Sequence, residues 1–185
     1  MSVVICTSHG SLLINLRFVD CPRASFNFLA LCASTYYDGC RFHRLVPSAF
    51  VLTGDPTGTG KGGDSVFVHH PDAQLRQRCF EDEGIGTALH DNRGVVSMAH
   101  KGNKPDTNAS QFFILFKPCP ALDAKHTAFG LVDLEWNDGE SERTLRRLEE
   151  LKVDEKHNVL DEEAKILGTT VMYNPFAEGH IKLDV

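Results

Sequence analysis

Ser110, Asp123 and His126 are residues of the types that hydrolases combine as nucleophile, acid and base. Such a triad is defined by its geometry, and on some folds its serine lies on a sharp turn with the pattern G-x-S-x-G. The residues around Ser110 do not follow that pattern. A hydrolase is therefore a poor interpretation of this sequence.

The run from Gly58 to Gly63 fits the pattern G-x-G-x-x-G. A dinucleotide site would need a helix to begin directly after the glycines and receive the pyrophosphate. Residues 64–68 have a strand-like composition instead, and Lys61 is followed by Gly62 rather than by the Ser or Thr of a P-loop. The run predicts a tight loop.

Six cysteines and nine histidines form neither a C-x-x-C pair nor a zinc-ligand spacing. We interpret the cysteines as buried or incidental thiols in a reducing compartment, because the sequence opens in a strand-like pattern and not with a signal peptide. No apolar run approaches the ~18 residues of a membrane span. We expect no metal, no cofactor and no membrane association.

The net charge of −6 is concentrated in one segment. Residues 133–163 contain 12 Asp and Glu against five Lys and Arg, a balance of −7. This segment is either a solvated face or a docking site for a basic partner. A surface that binds phosphates needs a basic excess, so direct binding of nucleic acid is not expected.

The elements that must position these residues are mostly strands. The chain of 185 residues fits one domain. Apolar residues alternate from Ser11 to Phe18, and short strands are predicted near 41–45, 50–53, 95–99, 111–116 and 166–173. Helices are predicted from Pro22 to about Ser34 and over Ser141–Leu151. Many strands and two helices favour a closed β-barrel or β-sandwich with helices packed outside it.

Six segments carry a more specific signal when they are taken together and in order. They are Phe42-His43-Arg44, Thr53 to Gly60, Phe80-Glu81-Asp82-Glu83, Gly94 to Ala99, Thr107 to Ile114, and Leu122 to Gly130. In this order they resemble the cyclophilin family of peptidyl-prolyl isomerases. The segment from Asn27 to Cys40 and the terminal Asn174-Pro175-Phe176-Ala177 are similar to the small, spliceosome-associated cyclophilin-like-3 members.

The resemblance implies a mainly β fold, namely a closed eight-stranded antiparallel barrel capped by two α-helices. It covers the chain as a single domain over residues 1–185, with surface insertions at about 64–79 and 133–163. Arg44 matches the family's catalytic arginine. The other positions of the implied proline-binding groove are Phe50, Leu52, Gly60, Ala99, His100, Gln111, Phe113, Leu122 and His126.

Isomerisation at proline requires no covalent step, metal or general base. Rotation about the Xaa–Pro bond must overcome a barrier of ~18–20 kcal/mol set by amide resonance. A dry apolar pocket for the ring and a donor directed at the prolyl nitrogen would lower it. We assign the donor to Arg44, the pocket to Phe113 and Leu122, and the contact with the peptide backbone to Gln111.

The sequence departs from the family pattern at several groove positions. Ala49 and Phe50 stand where Phe and Met are usual, and Leu52 stands where the family has a Gln. His100 replaces a common Asn, and Ala121 replaces a frequent Trp. Leu52 cannot bond a peptide carbonyl. We therefore expect weaker substrate binding, reduced activity and low affinity for cyclosporin.

Two functions remain open at this stage. One is an isomerase acting on Xaa–Pro bonds of peptides and proteins. The other is a catalytically weak module that binds proline-containing segments or spliceosomal proteins. In either case the expected partners are proline-containing peptides, with spliceosomal proteins as candidates. The expected form is a monomer in the nucleus, the cytoplasm or both.

Overall fold

The computed structural model describes residues 1–174, apart from the side chain of Asn103. Pro175, Phe176 and Ala177 of the terminal motif lie outside the described residues. The strands are β1 (Ser2–Thr7), β2 (Gly10–Leu16), β3 (Arg44–Val46), β4 (Phe50–Thr53), β5 (Val95–His100), β6 (Asn108–Leu115), β7 (Gly130–Val132) and β8 (Ile166–Tyr173). The α-helices are α1 (Pro22–Ala33) and α2 (Trp136–Glu149).

The eight strands form one antiparallel sheet in the order β3-β4-β6-β5-β7-β2-β1-β8. The sheet curls into an open half-barrel with β3 and β8 at its edges, so the expected closed barrel was wrong. β3 has only three residues, and backbone from the loops bonds both edges. Leu45 N donates to His157 O at 3.0 Å, and Ile166 N donates to Cys40 O at 2.9 Å.

Helix α1 begins at Pro22, as the sequence predicts, because proline lacks only an N–H that the first helical turn leaves free. The side chain of Cys21 does not cap it. The carboxylate of Glu83 does so from a distant loop, accepting from Arg23 N at 3.0 Å and Ala24 N at 2.7 Å. These two hydrogen bonds tie the loop that contains Glu83 to the start of α1.

The core lies between α1 and the sheet. The ring of Phe28 on α1 lies 5.2 Å from that of Phe112 on β6 and 5.1 Å from that of Phe129, measured between centroids. Tyr37 is fully buried beside them, and its hydroxyl donates to Ser110 O at 2.9 Å. One face of β6 is therefore held in the core, and the alternate residues are presented on the other face.

Helix α2 packs against β2. Its first residues, Asn137, Asp138 and Gly139, have left-handed backbone angles, so regular helical turns begin near Glu140, close to the predicted Ser141. Leu145 and Leu148 are fully buried. Within residues 1–174, neither α-helix is both long and apolar enough to cross a membrane.

The sequence pattern did not indicate two local features. Residues Val66–His69 belong to a stretch of strand-like composition but form a single turn of 3₁₀-helix, because Phe67 turns inward to pack on Phe80, with ring centroids 5.5 Å apart. Strand β7 was not predicted. It has three residues, which is too short for an alternating pattern to be recognised.

Candidate active site

All ten residues predicted for the groove line one cavity of about 420 Å³. Strands β3, β4 and β6 supply five of them, because neighbouring residues across antiparallel strands project from the same face. Arg44 is opposite Leu52, and Leu52 is opposite Phe113. Phe50 lies two residues before Leu52 on β4, and so on the same face.

The floor of the cavity is apolar and aromatic. The rings of Phe50 and Phe113 are 5.1 Å apart at an angle of 45°. Phe113 is 4% exposed and meets the His126 ring edge to face at 5.5 Å. Leu122 closes the pocket from the 3₁₀ turn Pro120–Leu122. The floor is therefore an apolar surface on which a nonpolar ring can pack.

Arg44 is exposed at the rim of this pocket, and within residues 1–174 no carboxylate forms an ion pair with it. Its neighbour His43 also lines the cavity, and neither ring nitrogen of His43 has a hydrogen-bond partner in the described part of the chain. Burial lowers the pKa of His43. Because Arg44 has no ion-pair partner among these residues, its guanidinium is free to bond a group that enters the cavity.

The loop 54–63 forms one wall and is organised by the buried carboxylate of Asp55. This carboxylate accepts from Thr57 N at 2.8 Å and from Gly62 N at 3.1 Å. Gly60 has a φ of +75°, and a Cβ there would lie 3.3 Å from the His43 ring, so glycine suits this position. The glycine run is thus a tight loop, as predicted, and it carries Gly60, Lys61 and Thr59 to the cavity.

Gln111 connects this loop to β6. Its Nε2 donates to Gly62 O at 2.9 Å. A primary amide also has a second N–H and a carbonyl oxygen, and both types of group can bond a peptide. Gln111 therefore both positions the loop and keeps polar capacity on the cavity wall beside Ala99.

His100 and His126 form a stacked pair at the opposite wall, with ring centroids 4.2 Å apart. His100 Nε2 donates to Asp82 Oδ1 at 2.8 Å, and its side chain is only 5% exposed. His126 Nδ1 donates to Met98 O at 3.1 Å, since a carbonyl can only accept. Burial, and next the neighbouring His100, lower the pKa of His126 to about 4. His126 is therefore neutral near pH 7.

Asp82 is the support of this wall, and sequence reasoning did not identify it as such. Burial alone would raise its pKa, but hydrogen bonds from His100, Asn108 and the Asp106 N–H outweigh burial and hold the pKa below the usual value. Asn108 Nδ2 donates to Asp82 at 2.9 Å. The segment Phe80-Glu81-Asp82-Glu83 was noticed as part of the family pattern, but its partners lie too far along the chain to be inferred.

The triad interpretation is excluded by geometry. Ser110 Oγ donates to Gly54 O at 2.7 Å, and Asp123 bonds His90 at 3.0 Å. His126 has Met98 as its partner. The buried ring of His90 lies parallel to Phe113 at 6.3 Å and supports it from behind, a role that the sequence alone did not indicate.

Comparison with known proteins agrees with this arrangement. Residues 2–171 match the family described as "Cyclophilin type peptidyl-prolyl cis-trans isomerase/CLD". The chain is 45% identical over 177 residues to "Peptidyl-prolyl cis-trans isomerase 10" of Caenorhabditis elegans, covering 96% of this chain and 99% of that protein. It is 43% identical over 178 residues to "Peptidyl-prolyl cis-trans isomerase-like 3" of Homo sapiens, covering 96% and 100%.

A solved structure is also similar. The cyclophilin type peptidyl-prolyl cis-trans isomerase of Cryptosporidium parvum, crystallised in the presence of the dipeptide Ala-Pro, aligns with a TM-score of 0.80 at 37% identity. The alignment covers 94% of this chain and 100% of that chain. Fold, groove and sequence agree, and the chain belongs to the cyclophilin family of peptidyl-prolyl cis-trans isomerases.

Proposed function

We propose that this chain catalyses cis-trans isomerisation of Xaa–Pro bonds, with Arg44 as its catalytic residue and the aromatic pocket as its proline site. One observation carries the assignment of roles. An arginine without an ion-pair partner in the described residues lies two strands from Phe113, at the rim of a pocket lined by Phe50, Phe113 and Leu122. The cavity thus combines an apolar, aromatic floor with a cationic donor that has no ion-pair partner among the described residues.

The chemistry follows from the electronic change in the twisted peptide. In the planar amide the nitrogen lone pair is delocalised, so a donor gains little by approaching it. When the bond rotates, the nitrogen becomes pyramidal and recovers its lone pair, which a guanidinium can then bond. Arg44 would therefore stabilise the transition state more than the substrate. One charge-assisted bond of ~1.5–3 kcal/mol corresponds to roughly one to two decades of rate.

The remaining residues would bind the two sides of the Xaa–Pro bond separately. Phe113, Phe50 and Leu122 fix the ring, while Gln111 and the rim at Gly60, Ala99 and His100 contact the flanking backbone. His126 closes the wall beside Phe113 as a neutral ring. The structure solved with Ala-Pro supports a proline-containing peptide as the ligand of this groove.

The direct test is exchange NMR on a set of Xaa–Pro peptides mixed with the purified chain. We expect cis and trans resonances to exchange faster in its presence, in proportion to its concentration. A chain that shifts peptide resonances without accelerating exchange would contradict the catalytic proposal.

The position of Leu52 favours a second candidate, a weakly catalytic module that binds proline segments. Leu52 lies between Arg44 and Phe113 and offers no hydrogen bond to a peptide carbonyl. The same experiment separates the two functions, because a module would give saturable resonance shifts with exchange at the uncatalysed rate.

We further propose that the physiological partners include spliceosomal proteins and that the chain acts in the nucleus, the cytoplasm or both. Support comes from the similarity to relatives named peptidyl-prolyl cis-trans isomerase-like 3.

We also propose a monomer, because backbone bonds from residues 157–159 occupy the edge of β3 and so reduce its capacity to pair with a second copy. Sedimentation of the purified chain tests whether it is a monomer. Co-purification from nuclear extract tests whether its partners include spliceosomal proteins.

A further inference from the structure

The groove has a charge opposite to that of the whole chain. The chain has a net charge of −6, yet among residues 1–174 the lining of the cavity includes the cations Arg44 and Lys61 and no Asp or Glu. A cavity lined by one sign of charge favours ligands of the other sign.

The positive character continues on one side of His100 and reverses on the other. A small adjoining cavity on the first side is lined by Gly60, Lys101 and Gln111, and no carboxylate of the described part of the chain lines it. A third cavity, of about 580 Å³, is lined by Asp82, Asp106 and Lys125. His100 lines all three cavities, so it marks the boundary between a cationic and an acidic end.

Three carboxylates on the segments that form the walls already accept hydrogen bonds from other groups of the protein. Asp55 accepts from Thr57 N at 2.8 Å and Gly62 N at 3.1 Å beneath its loop. Asp154 accepts from Asn158 Nδ2 at 2.8 Å, and Asp82 accepts from His100 Nε2 at 2.8 Å. None of these groups forms an ion pair with Lys61, Lys101 or Arg44, and no other residue between 1 and 174 does so.

We propose that the groove selects prolines flanked by an acidic side chain, and that Lys61 is the specificity-determining residue, assisted by Lys101. Lys61 follows Gly60 on the loop that Gln111 ties to β6, two residues from Phe113 along that strand. A peptide whose proline occupies the pocket passes Gln111 toward Lys61 and Lys101. The inference rests on the proposed proline-binding function.

The expected size of the preference follows from the exposure of the two lysines. Ion pairs between exposed groups contribute ~0.2–1 kcal/mol, which corresponds to a preference of about 1.4- to fivefold over a neutral side chain. Such a preference falls with added salt, because the Debye length is ~8 Å at physiological ionic strength and ~3 Å at 1 M.

The test compares peptides that carry Glu, Gln or Lys at one of four positions, namely the two positions before and the two positions after a single proline. Affinity is measured by NMR titration and turnover by exchange NMR, at low and high salt. At low salt only, and on one side of the proline, we expect the affinity for the Glu peptide to exceed that for its Gln counterpart about 1.4- to fivefold. A phosphoserine series compares a phosphate with a carboxylate as the source of the acidic group, and a preference for either supports the proposal.

Variants assign the preference to its residue. Lys61→Glu should invert the order so that the Lys peptide exceeds the Glu peptide, and Lys101→Gln should reduce the Glu-to-Gln ratio. Lys117→Gln is the matched control, since Lys117 is exposed and lines none of the three cavities. Equal values for Glu and Gln at all four positions, or a ratio that Lys61→Glu leaves unchanged, would overturn the inference. Binding of the Gln peptide without turnover would instead contradict the isomerase and leave the charge preference measurable.

Discussion

Arg44 and Leu52 are direct cross-strand partners in the pairing of β3 with β4. The guanidinium at the rim of the groove therefore has an aliphatic side chain beside it, and Phe113 follows on the next strand. Adjacent strands lie ~4.8 Å apart, so the row leads from a cation to an aromatic pocket within ~10 Å. Apolar neighbours reduce the local dielectric, which would strengthen the bond that we propose for Arg44 in the transition state.

Arg44→Ala should remove most turnover and leave the fold intact. The side chain is exposed and without an ion-pair partner in the described residues, so its loss removes little native contact, whereas the transition state loses its donor. We expect kcat/KM to fall by about one to two decades. Exchange NMR measures the rate, and thermal unfolding reports the stability.

Arg76→Ala is a suitable control, because Arg76 is exposed and lines none of the three cavities. Equal efficiency in wild type and Arg44→Ala would show that Arg44 does not act in the reaction.

Leu52→Gln should tighten peptide binding. The new amide would lie between Arg44 and Phe113, where it can bond a peptide carbonyl, and one such bond contributes ~0.5–1.5 kcal/mol. Titration followed by chemical-shift perturbation measures the change. Leu52→Met, which keeps the volume without a donor, should bind as wild type does. Unchanged or weaker binding by Leu52→Gln would mean that the groove does not use this position for hydrogen bonding.

The free energy of unfolding should decrease as the pH falls from about 6.5 toward 4. His126 has a folded pKa of about 4 against an ordinary 6.5, so in this window the unfolded chain binds the additional proton. The contribution of His126 to this decrease is ~1.4 kcal/mol per pH unit at most. The groups that face His126 are His100, His90 and Asp82. Burial also lowers the pKa of His90, so it contributes with the same sign.

Denaturant unfolding at several pH values between 7 and 4 checks this expectation. His126→Gln should have a shallower dependence on pH than wild type, because one of the contributing groups has been removed. Parallel curves for the two proteins would show that His126 does not titrate in that window.

Ala121→Trp should increase affinity for cyclosporin. Ala121 is exposed in the turn Pro120–Leu122, directly before the pocket residue Leu122, and a buried aromatic contact at an interface contributes ~2 kcal/mol or more. Calorimetry on both proteins measures the difference. Trp136, the one tryptophan of the wild type, lies in α2 and lines none of the three cavities, so the drug should barely change wild-type fluorescence. Tight binding by wild type would contradict this interpretation of Ala121.

The sequence by itself determined the elements that depend on local pattern. Strands β4 and β8 have the predicted bounds, and α1 begins at the predicted proline, because alternation and the backbone of proline act over neighbouring residues. The residues of the groove were identified through the joint order of the family segments, and the structure places all ten around one cavity.

Only the tertiary structure decided what depends on partners far apart in the chain. It showed that Ser110, Asp123 and His126 have separate partners, and that Asp82 and His90 support the groove. It also showed that the sheet remains open between β3 and β8, because loop backbone occupies their edges. A hydrogen bond between residues such as Glu83 and Ala24, 59 positions apart, has no signature in local composition, and it forms only when the chain is folded.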